Sequence, residues 1–396
     1  MAAALSGNDD LAAAVARVRQ ADAQARIAGA ALLPTADLTA DGSREHGGLT
    51  LGPRTLNVFN PQLTASYVLD FWGRDRSLRD AARAEAAASR FDRQTVALTV
   101  VKSVAETYFQ ALEFRDRVGI ARENLENGRH ILDGLRLEAS AGTITALDVA
   151  QQETTVALLE AALPPLEQQR RQSIYALAVL VGSAPDRLDV TQGSLAELSI
   201  PAIVAGLPAH LLSRRPDVAE AEADLVAAHA DLAAARAALF PSIVLTASGG
   251  YESTALASLF NPASRLGAVS AGLTQPIFHG GALRGQVEYA EGRSAELLRD
   301  YHKTVLTALA NVESALAAAR QTAEQEERQR AAAAAAEVAF EYSQAQMSAG
   351  TVNILTVLNT ETALFNARDV LLQVRYAHLQ ALVDLYTALG GGWQQG

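Results

Sequence analysis

The chain carries seven histidines, at 46, 130, 210, 229, 279, 302 and 378, and no cysteine. The histidines share no metal-ligand spacing, and without a thiol there is no thiolate site, disulfide or cysteine nucleophile. No serine, histidine and aspartate fall into an acyl-transfer pattern, and no carboxylate pair stands out for general acid–base work. Gly280-Gly281-Ala282-Leu283-Arg284-Gly285 follows a predicted strand and opens a predicted helix, the context of a phosphate loop. It lacks the Walker Lys-Ser/Thr pair and the Rossmann glycine spacing, so it reads as a strand-to-helix turn. Neither an enzyme nor a cofactor is expected. What remains is a Ser-Ala-Gly-Thr tetrad present twice, at 140–143 and 348–351, with Asp148 six residues beyond Gly142. Glycine at a helix reversal is commonly a C-cap, and an aspartate in a first helical turn complements the helix dipole. The same tetrad at equivalent points of two long hairpins points instead to a docking or gating tip. For Asp148 both readings stand.

The elements that position these tips are duplicated. Residues 34–182 recur as 241–390. Pro34, Leu38, Thr39, Ala40 and Gly42 precede Pro241, Leu245, Thr246, Ala247 and Gly249 by 207 positions, as Phe71, Gly73 and Glu106 precede Phe278, Gly280 and Glu313. One residue is then inserted, and Ser140 to Thr143, Leu147, Val149, Glu153 and Gly182 match Ser348 to Thr351, Leu355, Val357, Glu361 and Gly390 at an offset of 208. Such a repeat is a whole folding unit doubled, longer than a solenoid period. It predicts a first repeat over 1–182, a connector over 183–215 and a second repeat over 216–396.

Asp9 or Asp10 is expected to cap a helix from Leu11 to about Ala31, with its copy starting at Arg215-Pro216-Asp217. Period-two alternation predicts strands at about 35–43, 62–71, 242–251 and 266–278. Gly47-Gly48 and Asn57–Pro61 read as a loop between the first two. The apolar phases of the second strands disagree under the repeat: Tyr67 and Leu69 fall on Thr274 and Pro276. Beyond Gly73 and Gly280 the period changes. Phe91, Gln94, Leu98, Val101, Ala105, Tyr108 and Leu112 form a coiled-coil seam, as do Val305, Ala308, Val312, Ala315 and Ala319. A helix of ~65 residues would be ~100 Å long. Pro164-Pro165 breaks or kinks the first return helix.

A net charge of −11 without a basic block argues against a nucleic-acid partner. No apolar run approaches a transmembrane helix, and Met1 to Leu5 lacks the basic start and apolar core of a signal peptide. Four strands cannot close a barrel, and open edges template aggregation. Alternating strands suit a membrane barrel with a wet interior, closed by several chains: two give eight strands, three give twelve. The competing reading is a soluble structural coiled coil with small β hairpins.

Gly206-Leu-Pro-Ala-His-Leu-Leu-Ser-Arg-Arg-Pro-Asp217 resembles the GLPxxLLxRRPD signature of the TolC-like outer membrane factors, in their NodT-type efflux lipoprotein branch. Ala28-Gly-Ala-Ala-Leu-Leu-Pro34, Leu69-Asp-Phe-Trp-Gly-Arg74, Ala141-Gly-Thr143 with Leu147-Asp-Val149, Leu180-Val-Gly182 and Gln275-Pro-Ile-Phe-His-Gly280 agree with it. The resemblance covers essentially the whole chain. It implies an α+β membrane protein and a homotrimer: a twelve-stranded β-barrel in outer-membrane lipid of a Gram-negative cell, continued by a coiled-coil α-helical barrel across the periplasm. This would be the passive exit duct of a tripartite pump for drugs or other small toxic compounds. A periplasmic adaptor and a proton-driven inner-membrane transporter would feed it. The alternative within the family is a duct for type I protein secretion, and the LLSRRPD stretch favours efflux. By position, Ala141, Gly142, Thr143, Ala349, Gly350 and Thr351 are the tips that meet the adaptor. Asp148 matches an aspartate at the periplasmic constriction. Acidic residues common in the family are absent near Thr356 and Asn359, which argues against a tight acidic ring and cation block. Met347 and Val352 stand where some relatives have the gate's tyrosine and arginine. Family members start with a leader and a lipid-modified cysteine, so the sequence is expected to begin after them.

Overall fold

The computed structural model describes residues 1–47, 54–199 and 215–391. The chain divides into two compact units: Val15–Asp92 with Ala219–Thr304, and Met1–Ala14 with Arg93–Val218 and Val305–Gly396. The elements are α1 (Ala2–Gly7), α2 (Asp9–Ala30), β1 (Thr35–Gly47), β2 (Arg54–Leu69), α3 (Arg74–Ser140), α4 (Ala146–Leu180), α5 (Pro216–Ala237), β3 (Ser242–Tyr251), β4 (Arg265–Thr274), α6 (Ala282–Ser348) and α7 (Ile354–Ala388). Short 3-10 turns lie at Pro185–Arg187, Leu195–Glu197, Leu256–Ser258 and Pro262–Ser264. Most of the arginine-rich signature, 206–214 with His210, falls outside the described residues, as do Gly48 and the connector from 200 to 214.

The first unit holds one antiparallel sheet in the order β1-β2-β3-β4. Cross-strand partners share a face, so the register sorts the side chains. Ala36, Ala65, Ala247 and Val269 form one column, followed by Tyr67, Leu245 and Ala271 and then Leu69, Ile243 and Leu273. The opposite face carries Asp37, Thr64, Ser248 and Ala268, then Thr35, Ser66, Thr246 and Ser270. One face is apolar yet open, with Val269 87% exposed, and the other carries mainly hydroxyls and carboxylates, with Val68, Val244 and Leu266 among them. Among the described residues, the outer edges of β1 and β4 pair with nothing.

Three expected boundaries move. β1 runs on to Gly47, past the expected end near 43, so Gly47 is strand and not loop. β2 begins at Arg54, so Asn57–Pro61 is strand and not loop; Pro61 lies opposite Ala40. On the β3 side the ladder runs to Gln62, stops at Pro61, which has no N–H to donate, and resumes as a bridge between Phe59 and Ser253. β4 ends at Thr274 and not near 278, ahead of Pro276. The register also relocates the repeat's inserted residue. Thr35 and Ser242 differ by 207, but their partners Ser66 and Thr274 differ by 208. A one-residue slip exchanges the two faces of a strand, so the insertion lies between β3 and β4, well before Glu313. The long helices keep the 208 offset throughout: buried Ala82, Val100, Val104 and Leu125 match buried Ala290, Ala308, Val312 and Ala333. Gly73 then corresponds to Gly281, with φ of 80° and 87°.

Next to the sheet, Trp72 stacks on Phe240 at 4.7 Å, meets Phe71 edge-on and donates Nε1–H to the Pro241 carbonyl at 2.9 Å. In the helical unit the cap of α2 is Asn8, not Asp9 or Asp10: its Oδ1 accepts from Leu11 N at 3.0 Å and its Nδ2 donates to the Leu180 carbonyl. The α3 seam keeps Ala105 and Leu112 buried but also buries Val100 and Val104, one position from the expected Val101 and Ala105. α4 runs unbroken through Pro164 and Pro165. The carbonyls these prolines leave without an i+4 donor belong to Glu160 and Ala161, which are exposed and so open to solvent.

Candidate functional site

Both hairpin tips are built alike. In the first, Gly142 N donates to the Ala139 carbonyl at 3.0 Å and Thr143 N to the Glu138 carbonyl at 3.1 Å. In the second, Gly350 N reaches the Met347 carbonyl and Thr351 N the Gln346 carbonyl, each at 2.9 Å. This is the Schellman closure, which needs a left-handed residue; Gly142 has φ 76° and Gly350 φ 71°. The threonine hydroxyls repeat the pattern, Thr143 to Glu138 and Thr351 to Gln346. Ala141, Gly142, Thr143, Ala349, Gly350 and Thr351 are all exposed.

The return helices start differently. Thr145 and Asp148 form a reciprocal capping box, the Asp148 carboxylate accepting from Thr145 N at 2.9 Å and Oγ1 at 2.6 Å. These hydrogen bonds from Thr145 hold the Asp148 carboxyl below the usual range. In the second tip Asn353 caps alone, accepting from Thr356 N and Oγ1. Asp148 therefore has a local structural partner, which the spacing alone did not reveal.

Between the tips lies a cleft of about 670 Å³. Asp148, Met347 and Val352 line it with Ile131, Leu135, Glu138, Gln344 and Asn353. Thr356 and Asn359 are exposed and do not line it. Met347 packs on the buried cluster of Leu135, Ile354, Val357 and Leu358. The expected gate residues thus divide into three at the cleft and two outside it.

A feature that the motifs did not announce ties the hairpins together. On α3, Arg122, Arg129 and Arg136 recur every seven residues and bind Glu167, Glu160 and Glu153 of α4 at 2.6, 2.6 and 2.9 Å. At the 208 offset the second hairpin has Arg330, Glu337 and Gln344 facing Arg375, Arg368 and Glu361. The middle rung survives with its charges exchanged, Arg368 to Glu337 at 2.7 Å. The first rung becomes a hub, where buried Glu326 receives Arg330 at 2.6 Å, Arg375 at 2.8 Å and His378 Nδ1 at 2.6 Å. Burial opposes the Glu326 charge, but the bonds from His378 and Arg375 outweigh it and hold its carboxyl below the usual range. Arg375 also donates to the carbonyls of Leu195, Ala196 and Leu198. From α3, Arg115 donates to the Gly193 carbonyl, and Asp116 accepts from Ser194 Oγ and Leu195 N. The connector is thereby clasped to both hairpins. The described end of the arginine-rich signature acts in a similar way, since Arg215 chelates Asp217 and donates to the Ala388 carbonyl at the end of α7. Among the described residues no cluster could hold a metal ion and no helix is long and apolar enough to cross a membrane.

Known proteins share this architecture. The profile of the family described as outer membrane efflux protein matches residues 1–183 and 207–391. The pyoverdine export outer membrane protein OpmQ of Pseudomonas aeruginosa is 43% identical over 401 residues, covering 99% of this chain and 84% of that one. The cation efflux system protein CusC of Escherichia coli is 32% identical over 396 residues, with 99% and 85% covered. A crystal structure of CusC superposes with a TM-score of 0.92 at 31% identity, covering 99% of this chain and 91% of that one. The open state of the Neisseria gonorrhoeae MtrE outer membrane channel gives 0.91 at 30% identity, with 98% and 88% covered. The chain belongs to the outer membrane efflux protein family, and it is an outer-membrane channel through which an efflux system discharges.

Proposed function

We propose that three copies close a twelve-stranded barrel, to which each contributes its four strands, and that the helical hairpins line a periplasmic duct continuous with it. The observation that carries this reading is the sheet itself. It has one open apolar face, one hydroxyl-rich face and, among the described residues, two unpaired edges. An apolar face suits lipid, a polar face suits a wet lumen, and closure removes the edges. The cluster of Phe71, Trp72 and Phe240 fits the aromatic belt at a membrane surface.

On this reading the Ala141–Thr143 and Ala349–Thr351 tips receive a periplasmic adaptor, and the cleft lined by Asp148, Met347 and Val352 is the gate region. Thr356 and Asn359 lie outside the cleft as neutral residues, and the carboxylates at the cleft are Glu138 and Asp148. A proton-driven inner-membrane transporter supplies the energy, and the duct conducts small molecules without catalysis. The pyoverdine, cation and solvent export named for relatives supports small-molecule cargo. The test is mass determination and negative-stain imaging of the protein extracted from membranes in detergent. Three chains with three-fold symmetry and a detergent belt at one end are expected. A detergent-free monomer or dimer would overturn the reading.

A further inference from the structure

The arginine ladder fails at one rung. Glu153 has Arg136, whereas at the 208 offset the residue that corresponds to Arg136 beside its counterpart Glu361 is Gln344. Glu361 has kept the carboxylate and lost the base. It is 6% exposed, and neither of its oxygens has a hydrogen-bond partner among the described residues. Its neighbourhood is a seam between hairpins. Arg368 reaches Glu123 on α3 at 3.5 Å and Glu337 on α6 at 2.7 Å, which places α7 between those helices. Nearer the tip, Ile354, Val357 and Leu358 pack with Leu135 of α3. Glu361 lies between these anchor points, within the buried stripe of Val357, Leu358 and Leu364.

The charged groups on the facing stretches are engaged or exposed. On α3, Glu126 meets His130, Arg129 holds Glu160 and Asp133 meets Arg136. On α6, Glu341 is exposed and Arg330 holds Glu326. Asn124 of α3 is buried with its own Nδ2 unpartnered. Burial alone acts on Glu361 and pushes its carboxyl up to about 7.

A neutral acid tolerates such a seam, while an unpaired carboxylate does not. Water reaches the ionised group only if the packing over this stretch of α7 opens, and α3 is one of the helices that cover it. We propose that Glu361 is a proton-controlled latch: protonated, it lets α7 pack against α3, and ionised, it loosens the second hairpin from the first near their tips. The direction follows from linkage. The folded protein holds this proton more tightly than the unfolded chain, so the packing is complete below the ordinary glutamate range. It weakens as pH rises through about 7. The latch goes beyond the duct reading, and its readout is packing, not conduction, so either can fail alone.

The test is hydrogen exchange of residues 354–368 in the whole detergent-extracted protein, corrected for intrinsic pH dependence. Native protein should lose protection about tenfold between pH ~6 and ~8. Glu361→Gln should hold constant protection, and Gln344→Arg, which restores the missing base, should also flatten the profile. If Glu361→Gln does not fold, Glu361→Leu serves, and the infrared band of a buried protonated carboxyl in the native protein reads the proton directly. Protection independent of pH in native protein, a pH dependence retained in the folded variant, or no protonated band at pH ~6 would each overturn the latch.

Discussion

The two hairpins share helix lengths of 67 and 35 residues and the same closure at the tip, but they are held together differently. The first uses a ladder of Arg–Glu pairs whose members are about half exposed, such as Arg129 and Glu160. The second concentrates its charges in a buried hub and leaves Glu361 unpaired. The difference follows from coverage. Arg368 on α7 contacts both α3 and α6, so α7 has less open surface than α4. Exposed ion pairs contribute little each and are individually replaceable. Buried charges are coupled, and losing one partner strands the others. The first hairpin is therefore expected to tolerate single substitutions that the second does not.

The sharpest way to break this contrast is Arg375→Ala. It removes a bond to buried Glu326 and three bonds to connector carbonyls. A loss of about 3 kcal/mol in unfolding free energy is expected, measured by denaturant titration. Glu167→Ala, at the equivalent position, should cost less than about 1 kcal/mol. Equal losses would show that the hub is no more coupled than the ladder. A smaller effect tests what the hairpins share. Gly142→Ala and Gly350→Ala meet open space but impose a left-handed backbone on a Cβ. Each should cost about 1 kcal/mol, and a clear inequality in thermal shift would mean the tips are not equivalent. The smallest effect separates the helix starts. The Asp148 carboxyl is held below its usual range by Thr145, so its contribution is present at neutral pH and fades as pH falls through the folded value. Asp148→Ala should lower the melting temperature at pH ~7 and leave it unchanged at strongly acid pH. Thr356→Ala, with no carboxylate to titrate, should show no such convergence.

Much of this architecture is legible in the residues. Alternation at Thr35–Ala40 and Ser242–Gly249 places two strands, and the paired Ser-Ala-Gly-Thr tetrads place both tips, because turn chemistry and period are local properties. Other features are not legible there. Asn57–Pro61 carries loop residues inside a strand, since the partner strand and not the residue type decides pairing at that point. The repeat's inserted residue looks as though it follows Glu313, because Phe278, Gly280 and Glu313 repeat Phe71, Gly73 and Glu106 at the shorter offset. Only the register of β4 exposes the parity change. The burial of Glu361 and the clasp of Arg375 depend on a third helix packing over α7, which no spacing within one helix reports. The arginine ladder, by contrast, is present in the spacing of 122, 129 and 136 against 153, 160 and 167.

The relocated insertion has a practical meaning. Between Tyr251 and Arg265 the chain has changed its length by an odd number without turning any column of the sheet inside out. The same residue added within β3 or β4 would exchange lipid-facing and lumen-facing chemistry along the rest of that strand. Loop length is thus decoupled from wall chemistry at this connection. A peptide tag or a recognition epitope of any length, even or odd, can be carried there while the wall stays as it is.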